Sequence, residues 1–173
     1  MKVIWLILTT TLVVSCNQQE AAKPQVYEGP MREAENVEML YTEKQLLKVK
    51  MQAPKIFELQ NGDRDFPEGL YLEFYDEAGK LSSTLRANSA FYFKTENKWR
   101  GRGKVEVRNL AKNEQLNTEE LFWMPATKRI STEKFVTIKM ESEVIYGTGL
   151  DAAQDLSDYR ITNPEGEFDV QEN

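Results

Sequence analysis

A short pattern that recurs along residues 114–140 constrains the fold of this chain more than any other feature. It is an apolar residue, any residue and a threonine, followed by further apolar residues. The two copies are Leu116-x-Thr118 with Leu121-x-Trp123, and Ile130-x-Thr132 with Val136-x-Ile138. Related spacings return about 30 residues earlier, in Leu85-x-Ala87 and Trp99-x-Gly101, and about 30 residues later, in Tyr146-x-Thr148. Because a regular spacing in this range indicates stacked supersecondary units, we expect strands stacked on strands.

Alternation of apolar and polar residues predicts that the chain is all-β. Val105 and Val107 flank Glu106, for example, so the two valines face inward while the glutamate faces water. Almost no helical periodicity is found beyond residue 40, and helices remain open only at 31–40 and Asp151–Asp158. The strands are predicted at Gln45–Phe57 with a stop at Pro54, Leu70–Tyr75, Lys80–Phe93 with a break near Asn88, Lys98–Arg108, Glu114–Met124, Arg129–Met140 and Glu143–Leu150.

A small residue occupies the same place in each repeat, at the point where the strand pattern is interrupted. These positions are Ala87, Gly101, Thr118, Thr132 and Thr148. A bend crowds the inner face of a strand, and a small side chain relieves that crowding. Each unit is therefore predicted to be strand, corner, strand, in a folded-over sheet that grows by adding rungs.

The N-terminus reads as a targeting segment. Lys2 is followed by an apolar run from Val3 to Ser15, which fits a signal peptide and is shorter than a spanning helix. The run ends at Cys16, the sole cysteine of the chain, in a context that resembles a bacterial lipobox. We therefore predict a lipoprotein-type signal at 1–16 with a lipidated Cys16, a flexible tether at 17–36 and one β domain at 37–173. An uncleaved membrane anchor is the alternative.

Composition excludes several classes of function. The chain contains no histidine, which removes the commonest general base and metal ligand. A single cysteine excludes an intrachain disulfide and a thiolate zinc site. The net charge of −6, without a long basic run, argues against nucleic acid as a partner. We expect no catalytic residue, no metal and no cofactor.

Three clusters of polar residues could in principle form a site, but a structural role is expected for each. Asp151, Gln154, Asp155 and Asp158 offer oxygen ligands for calcium but lack the spacing of an EF-hand loop, so solvated loop acids are expected. Glu119 and Glu120 are neighbours on a strand and face opposite sides, so they cannot share a substrate. Trp99 with Arg100 and Arg102 could recognise a sugar or a phosphate, but a strand-edge aromatic between solvated charges is the preferred interpretation.

In series, these motifs resemble the LptC family, the periplasmic component of the lipopolysaccharide export machine. The resemblance covers residues 37–168 and rests on Gly101-x-Gly103-x-Val105-x-Val107, the two threonine repeats, Ile145-x-Gly147-x-Gly149-Leu150, and Tyr159-x-Ile161 with Gly166. It implies a twisted, open β-jellyroll of the LptA/OstA type. It also implies a non-enzymatic protein held at the inner membrane of a Gram-negative bacterium. The apparent lipobox departs from the family, whose members keep an uncleaved transmembrane helix.

The resemblance further implies a lipid relay. Lipopolysaccharide passes from an inner-membrane ABC transporter into a hydrophobic groove, and from there to a soluble periplasmic jellyroll partner. From alternation alone the inward residues are ordinary core, and only the resemblance makes them candidates for lipid contact. The candidates are Leu72, Phe74, Leu85, Tyr92, Val105, Val107, Leu121, Trp123, Ile130, Val136 and Ile138.

The two ends of the strand stack are the remaining candidate surfaces. A stack leaves unpaired backbone groups on its outer rungs, which can pair with a strand of another chain. We expect the first edge at Leu47–Phe57 and the last at Asp158–Thr162, with Tyr159 and Ile161 as partner contacts. Two alternatives stay open. One is a membrane-anchored scaffold lipoprotein with a closed core, and the other is a carboxylate enzyme acting on polysaccharide.

Overall fold

A computed structural model of the chain describes residues 27 and 29–165. Eleven strands make up one antiparallel sheet, and there is no helix among the described residues. The all-β prediction is therefore confirmed. The strands are β1 (Arg32–Glu43), β2 (Leu46–Glu58), β3 (Arg64–Phe66), β4 (Leu70–Tyr75), β5 (Leu81–Ala87), β6 (Ser89–Phe93), β7 (Lys98–Asn109), β8 (Glu114–Met124), β9 (Arg129–Lys139), β10 (Val144–Ala153) and β11 (Tyr159–Glu165).

The sheet is a meander. We call each strand a rung, and count β3 with β4, and β5 with β6, as one rung each; every rung pairs with the next one along the chain. Both β3 and β4 pair with β2, and both β5 and β6 pair with β7. The first of these rungs is interrupted before Gly69, which has a φ of 107°, and the second at Asn88. Beyond β7 the order is β8, β9, β10 and β11. The two outermost strands are thus β1, which pairs with β2 alone, and β11, which pairs with β10 alone.

Strands β7 to β10 are each interrupted at a corner, and these corners lie where the small residues of the repeat predict them. The strand register shifts between Arg102 and Val105 in β7, between Thr118 and Phe122 in β8, and between Thr148 and Leu150 in β10. At Gly101 an added Cβ would lie 3.1 Å from the Cβ of Ala87, so two corner positions of neighbouring rungs are in contact. The corner prediction is confirmed, because only small residues allow rungs to pack this closely at the bend.

The corners fold the sheet into two facing layers. Layer one comprises residues 37–43, 46–52, 70–75, 81–87, 105–109, 114–118, 135–139, 144–148 and 163–165. Layer two comprises residues 32–35, 55–58, 64–66, 89–93, 98–102, 121–124, 129–132, 150–153 and 159–161. Their inward faces form one hydrophobic core, in which Phe74 of layer one meets Trp123 of layer two edge-on at 5.1 Å. This arrangement is the expected twisted β-jellyroll.

The first strand lies where a tether and a short helix were considered. β1 begins at Arg32, so residues 32–36 of the expected tether are strand, and the first edge is β1 rather than Leu47–Phe57. The segment is exposed on almost every residue, and its apolar alternation is short, with Val37, Met39 and Tyr41 at every second position and Leu40 between them. Backbone pairing with β2 holds it, with ion pairs from Lys55 to Glu33 at 2.5 Å and from Lys50 to Glu38 at 2.9 Å.

Two further expectations were wrong for local reasons. Pro54 does not stop β2. Proline has no N–H to donate, and the facing residue in β1, Asn36, leaves the regular ladder at this point with a left-handed φ of 51°. Asp151–Asp158 is not a helix. Strand β10 runs to Ala153, and residues 154–158 form the turn into β11.

Candidate functional site

A cavity of about 580 Å³ opens between the two layers. One wall comes from layer one and the other from layer two. A volume of this size lies within the range of small-molecule sites, about 300–1,000 Å³. The apolar and aromatic residues that line it are Met39, Leu40, Tyr41, Val49, Met51, Leu72, Tyr75, Tyr92, Trp99, Trp123, Pro125 and Ala126.

The layer-two wall is a row of aromatic rings on three neighbouring strands. Tyr92, Trp99 and Trp123 are direct cross-strand partners in β6, β7 and β8. The ring centroids are 4.7 Å apart for Tyr92 and Trp99 and 5.9 Å apart for Trp99 and Trp123. Phe66 backs Trp99 at 5.3 Å, and the indole N–H of Trp123 donates to Oε1 of Gln154 at 2.9 Å. Two polar atoms of the row are thus hydrogen-bonded, since the Tyr92 hydroxyl also donates to Oδ1 of Asn97 at 3.2 Å.

The mouth of the cavity is polar, with more cations than carboxylates. Lys48, Arg64, Lys94 and Lys128 line it, together with Glu43 and Glu58. Nζ of Lys48 donates to Glu77 at 2.9 Å, and this hydrogen bond is the main reason that the pKa of Glu77 is lowered.

One tyrosine of the cavity wall is held in its neutral form. The hydroxyl of Tyr75 donates to Glu73 at 2.7 Å, and this bond raises the pKa of Tyr75 to about 12. Burial of the phenol adds to the effect. Tyr75 therefore adds no negative charge to the cavity near neutral pH.

On the other side of Gln154 the space between the layers is closed by the β10–β11 turn. We call residues 154–158 the closing loop. It belongs to the end of layer two but bonds to layer one: Oγ of Ser83 donates to the Gln154 carbonyl at 3.3 Å, and Nδ2 of Asn109 donates to the Asp155 carbonyl at 2.6 Å. The side chain of Leu156, the central residue of the loop, is completely buried.

The eleven candidate groove residues divide into two groups. All face inward, as predicted, and ten are buried while Tyr92 is half-buried. Only Leu72, Tyr92 and Trp123 line the cavity. The other eight lie in the closed core: Phe74, Leu85, Val105, Val107, Leu121, Ile130, Val136 and Ile138.

Several cavity residues were missed from the sequence. Trp99 was interpreted as a strand-edge aromatic, but β7 is an interior strand and Trp99 is central to the aromatic wall. Its place in the repeat, in register with Trp123, was the signal that could have identified it. Val49 and Met51 alternate visibly along β2, and Met39 and Tyr41 continue a shorter alternation that begins at Val37 in β1, which was the signal that could have identified them.

The last edge is formed by β11, as predicted. The N–H of Ala153 donates to the Asp158 carbonyl at 3.0 Å, so these two residues form a hydrogen-bonded pair. Hydrogen-bonded and non-hydrogen-bonded pairs alternate from there along β10 and β11. Tyr159 and Ile161 then fall at non-hydrogen-bonded pairs, with Ala152 and Leu150, so their backbone N–H and C=O groups point away from β10. The side chains of both residues pack against the core.

The polar clusters named in the sequence analysis form ion pairs and cation–π contacts on the surface of the sheet. Arg129 pairs with both Asp151 and Asp158, and no group of acids or cysteines that could hold a metal occurs within residues 29–165. Arg102 pairs with Glu120 at 2.5 Å. Arg100 lies over the rings of Phe91 and Phe93 on the outer face of layer two. Trp99 and the two arginines therefore do not form one site.

The targeting segment and Cys16 lie outside the described residues. Among the residues that the structure does describe, none forms a helix with the length and hydrophobicity needed to cross a membrane.

Comparison with known proteins identifies the family. The model for LptC-related proteins of lipopolysaccharide assembly matches residues 3–163, and no curated protein matches the chain. The family acts in lipopolysaccharide transport, as a transport or scaffold component rather than an enzyme. Its members are periplasmic and associated with the inner membrane of Gram-negative bacteria. The match covers most of the chain, and the chain therefore belongs to the LptC-related family of lipopolysaccharide assembly.

Proposed function

We propose that the chain receives lipopolysaccharide from an inner-membrane ABC transporter in the cavity between its two layers and passes it to a soluble jellyroll partner. The observation that carries the proposal is an apolar cavity with an open mouth in a protein of a lipopolysaccharide-transport family. The scaffold alternative predicted a closed core, so the cavity supports the conduit.

The energetics favour acyl chains as the cavity ligand. Each methylene that leaves water contributes about 0.8 kcal/mol, so a few methylenes against the aromatic wall supply several kcal/mol. Met39 and Met51 on the opposite wall are flexible and polarisable, and they can adapt to chains of different length. Transfer between similar cavities changes the free energy little, which suits a relay.

The eight candidate residues in the closed core can contact lipid only if the two layers separate. Contact between a lipid and Val107, Val136 or Ile138 requires the layers to separate on the side of the closing loop. We propose that the cavity is the entry point and that a deeper groove forms only when the loop moves away.

The edge of β11 is the proposed exit to the partner. Outward N–H and C=O groups at Tyr159 and Ile161 can pair with an added strand, which would continue the stack of rungs into a second jellyroll. Continuity of the stack would align the space between the layers of both proteins.

For the N-terminus we propose, from the sequence, a lipidated Cys16 after removal of residues 1–15, followed by a tether that ends before β1 begins at Arg32. The mass of the mature N-terminal peptide tests it. A peptide that still contains residues 1–15 would establish an uncleaved anchor instead.

Site-specific photo-crosslinking in cells tests the conduit. Benzoylphenylalanine at Tyr92 should give a crosslink to lipopolysaccharide that depends on ATP and the transporter, because Tyr92 lines the cavity. The matched control is Phe135, an aromatic residue that is 49% exposed on the outer face. No crosslink from position 92, 99 or 123 would contradict the conduit and leave a scaffold.

Proline substitution tests the exit edge. Ile161→Pro removes an outward N–H and should abolish pull-down of the soluble partner, whereas its loss of ladder bonds to β10 should be small. Thr137→Pro, on the interior strand β9, is a contrast variant that should damage the fold instead. Unchanged pull-down by a folded Ile161→Pro protein would rule out this edge.

A further inference from the structure

The charge at the cavity mouth is opposite in sign to that of the whole chain. The residues that line the cavity include four cations and two carboxylates, whereas the chain as a whole carries a net charge of −6. Local cations in an acidic protein raise the concentration of anions at that point of the surface.

Two of the four cations are available for a ligand. Within residues 29–165 neither Arg64 nor Lys94 has a carboxylate at ion-pair distance. Lys48, in contrast, is held by Glu77 at 2.9 Å, and Lys128 lies 3.9 Å from the same carboxylate.

Arg64 is placed at the end of the aromatic wall. It is the cross-strand partner of Tyr92, and its guanidinium lies over the Tyr92 ring at 5.8 Å from the centroid. Tyr92 in turn packs on Trp99. A planar guanidinium next to the rings can bind an anion with two parallel N–H groups while the apolar part of the same ligand lies along the wall.

Lys94 is positioned by the neighbouring turn. Its backbone N–H donates to Oδ1 of Asp63 at 2.9 Å, and its side chain crosses Gly62. A Cβ at residue 62 would lie 2.5 Å from Cδ and 2.7 Å from Nζ of Lys94, and Gly62 also has a φ of 83°. Glycine at this position therefore leaves the space through which the Lys94 side chain reaches the mouth.

We propose that Arg64 and Lys94 form a phosphate subsite at the cavity mouth, which holds the phosphorylated head of an amphiphile while its acyl chain occupies the cavity. The proposal rests on the proposed function, since it assumes that the cavity takes lipid. A phosphate presents several strong acceptor oxygens to the guanidinium and the ammonium group, whereas an uncharged head would leave both cations without a partner. The subsite would select phosphorylated lipids and fix which end of the lipid faces the solvent.

The test uses the full chain in phosphatidylcholine nanodiscs, with benzoylphenylalanine at Tyr41 on the opposite wall as the reporter. Three probes are titrated: purified lipopolysaccharide, the same material after enzymatic dephosphorylation, and phosphatidylglycerol. The variant is Arg64→Gln with Lys94→Gln. Lys134→Gln with Lys139→Gln is the matched control, because it removes two exposed cations of β9 that do not line the cavity. Circular dichroism verifies that both variants are folded.

The cavity variant should need about tenfold more phosphorylated lipopolysaccharide for half-maximal crosslinking, a change equivalent to the loss of one charge-assisted contact. The control variant should need the same concentration of phosphorylated lipopolysaccharide as the unmodified chain. With dephosphorylated lipopolysaccharide, the cavity variant and the unmodified chain should need equal concentrations. Equal loss with both forms of lipopolysaccharide, or equal loss in the control variant, would overturn the phosphate subsite.

The remaining outcomes separate this proposal from the function on which it rests. Absence of crosslinks with every probe would contradict the conduit itself. Crosslinking that is strong but insensitive to phosphate would preserve the conduit and overturn the subsite. Charge-dependent crosslinking of phosphatidylglycerol to the same extent would support the phosphate subsite and assign it to membrane phospholipid as well.

Discussion

The cavity mouth and the closing loop lie side by side between the same two layers, yet one is open and the other is closed. At the closing loop, a fully buried Leu156 and hydrogen bonds to Ser83 and Asn109 join layer two to layer one. At the mouth, the corresponding link between turns is the ion pair of Lys128 with Glu77, 3.9 Å long and exposed on both sides. The rungs themselves are alike. The turn at residues 154–158 therefore contributes to the difference between closed core and open cavity.

The largest expected effect comes from removing the apolar anchor of the closing loop. Leu156→Ala should lower the free energy of unfolding by about 2–5 kcal/mol, because a fully buried leucine is lost and the site cannot fully collapse. Chemical denaturation followed by circular dichroism measures the change. Leu110→Ala is the matched control, since Leu110 is 47% exposed and its truncation should change little. Equal effects in the two variants would show that the loop does not hold the layers together.

A smaller effect is expected from one hydrogen bond across the layers. Ser83→Ala removes the bond to the Gln154 carbonyl and should lower the free energy of unfolding by about 0.5–1.5 kcal/mol. It should also speed hydrogen exchange of the amides of residues 154–157. Ser82→Ala removes a similar bond, to the Phe74 carbonyl, that lies within layer one, and exchange in the closing loop should then be unchanged. Faster loop exchange in Ser82→Ala as well would mean that the loop responds to layer one in general.

The smallest effect is expected at the mouth. Glu77→Gln removes the carboxylate that pairs with Lys48 and Lys128, and the melting temperature should not change measurably, since the glutamate is 84% exposed and solvent screens such pairs. Differential scanning calorimetry provides the measurement. A drop comparable to that of Leu156→Ala would erase the distinction between the two regions.

The repeating part of the fold could be predicted from the sequence because its determinants are local. Alternation at Val105 and Val107, and small residues at Gly101 and Thr118, lie within a few positions of the strand and corner that they specify. The same reasoning failed for β1, which is held by backbone pairing and surface ion pairs and carries only a short apolar alternation, at Val37, Met39 and Tyr41.

The site was less predictable because it depends on the distance between the layers. Alternation shows that Leu72 and Val107 both face inward, but not that Leu72 lines a cavity while Val107 is fully buried. The difference arises partly from Leu156, one apolar residue among polar neighbours. Its loop bonds through Gln154 to Ser83, which lies 71 positions before Gln154 in the sequence. No short window of sequence contains that information.

The meander has a consequence for the order of folding. Each rung pairs with the next rung along the chain, so the sheet can form by closing short loops in succession, which is fast for an all-β protein. The closing loop is the exception, since its bonds to layer one span 46 and 71 residues. A chain that emerges from its N-terminus first can therefore assemble the rungs as they appear, whereas the closing loop engages only after β10 is in place. This late, long-range step of folding and the proposed opening for lipid then involve the same contacts, which form in the first and break in the second.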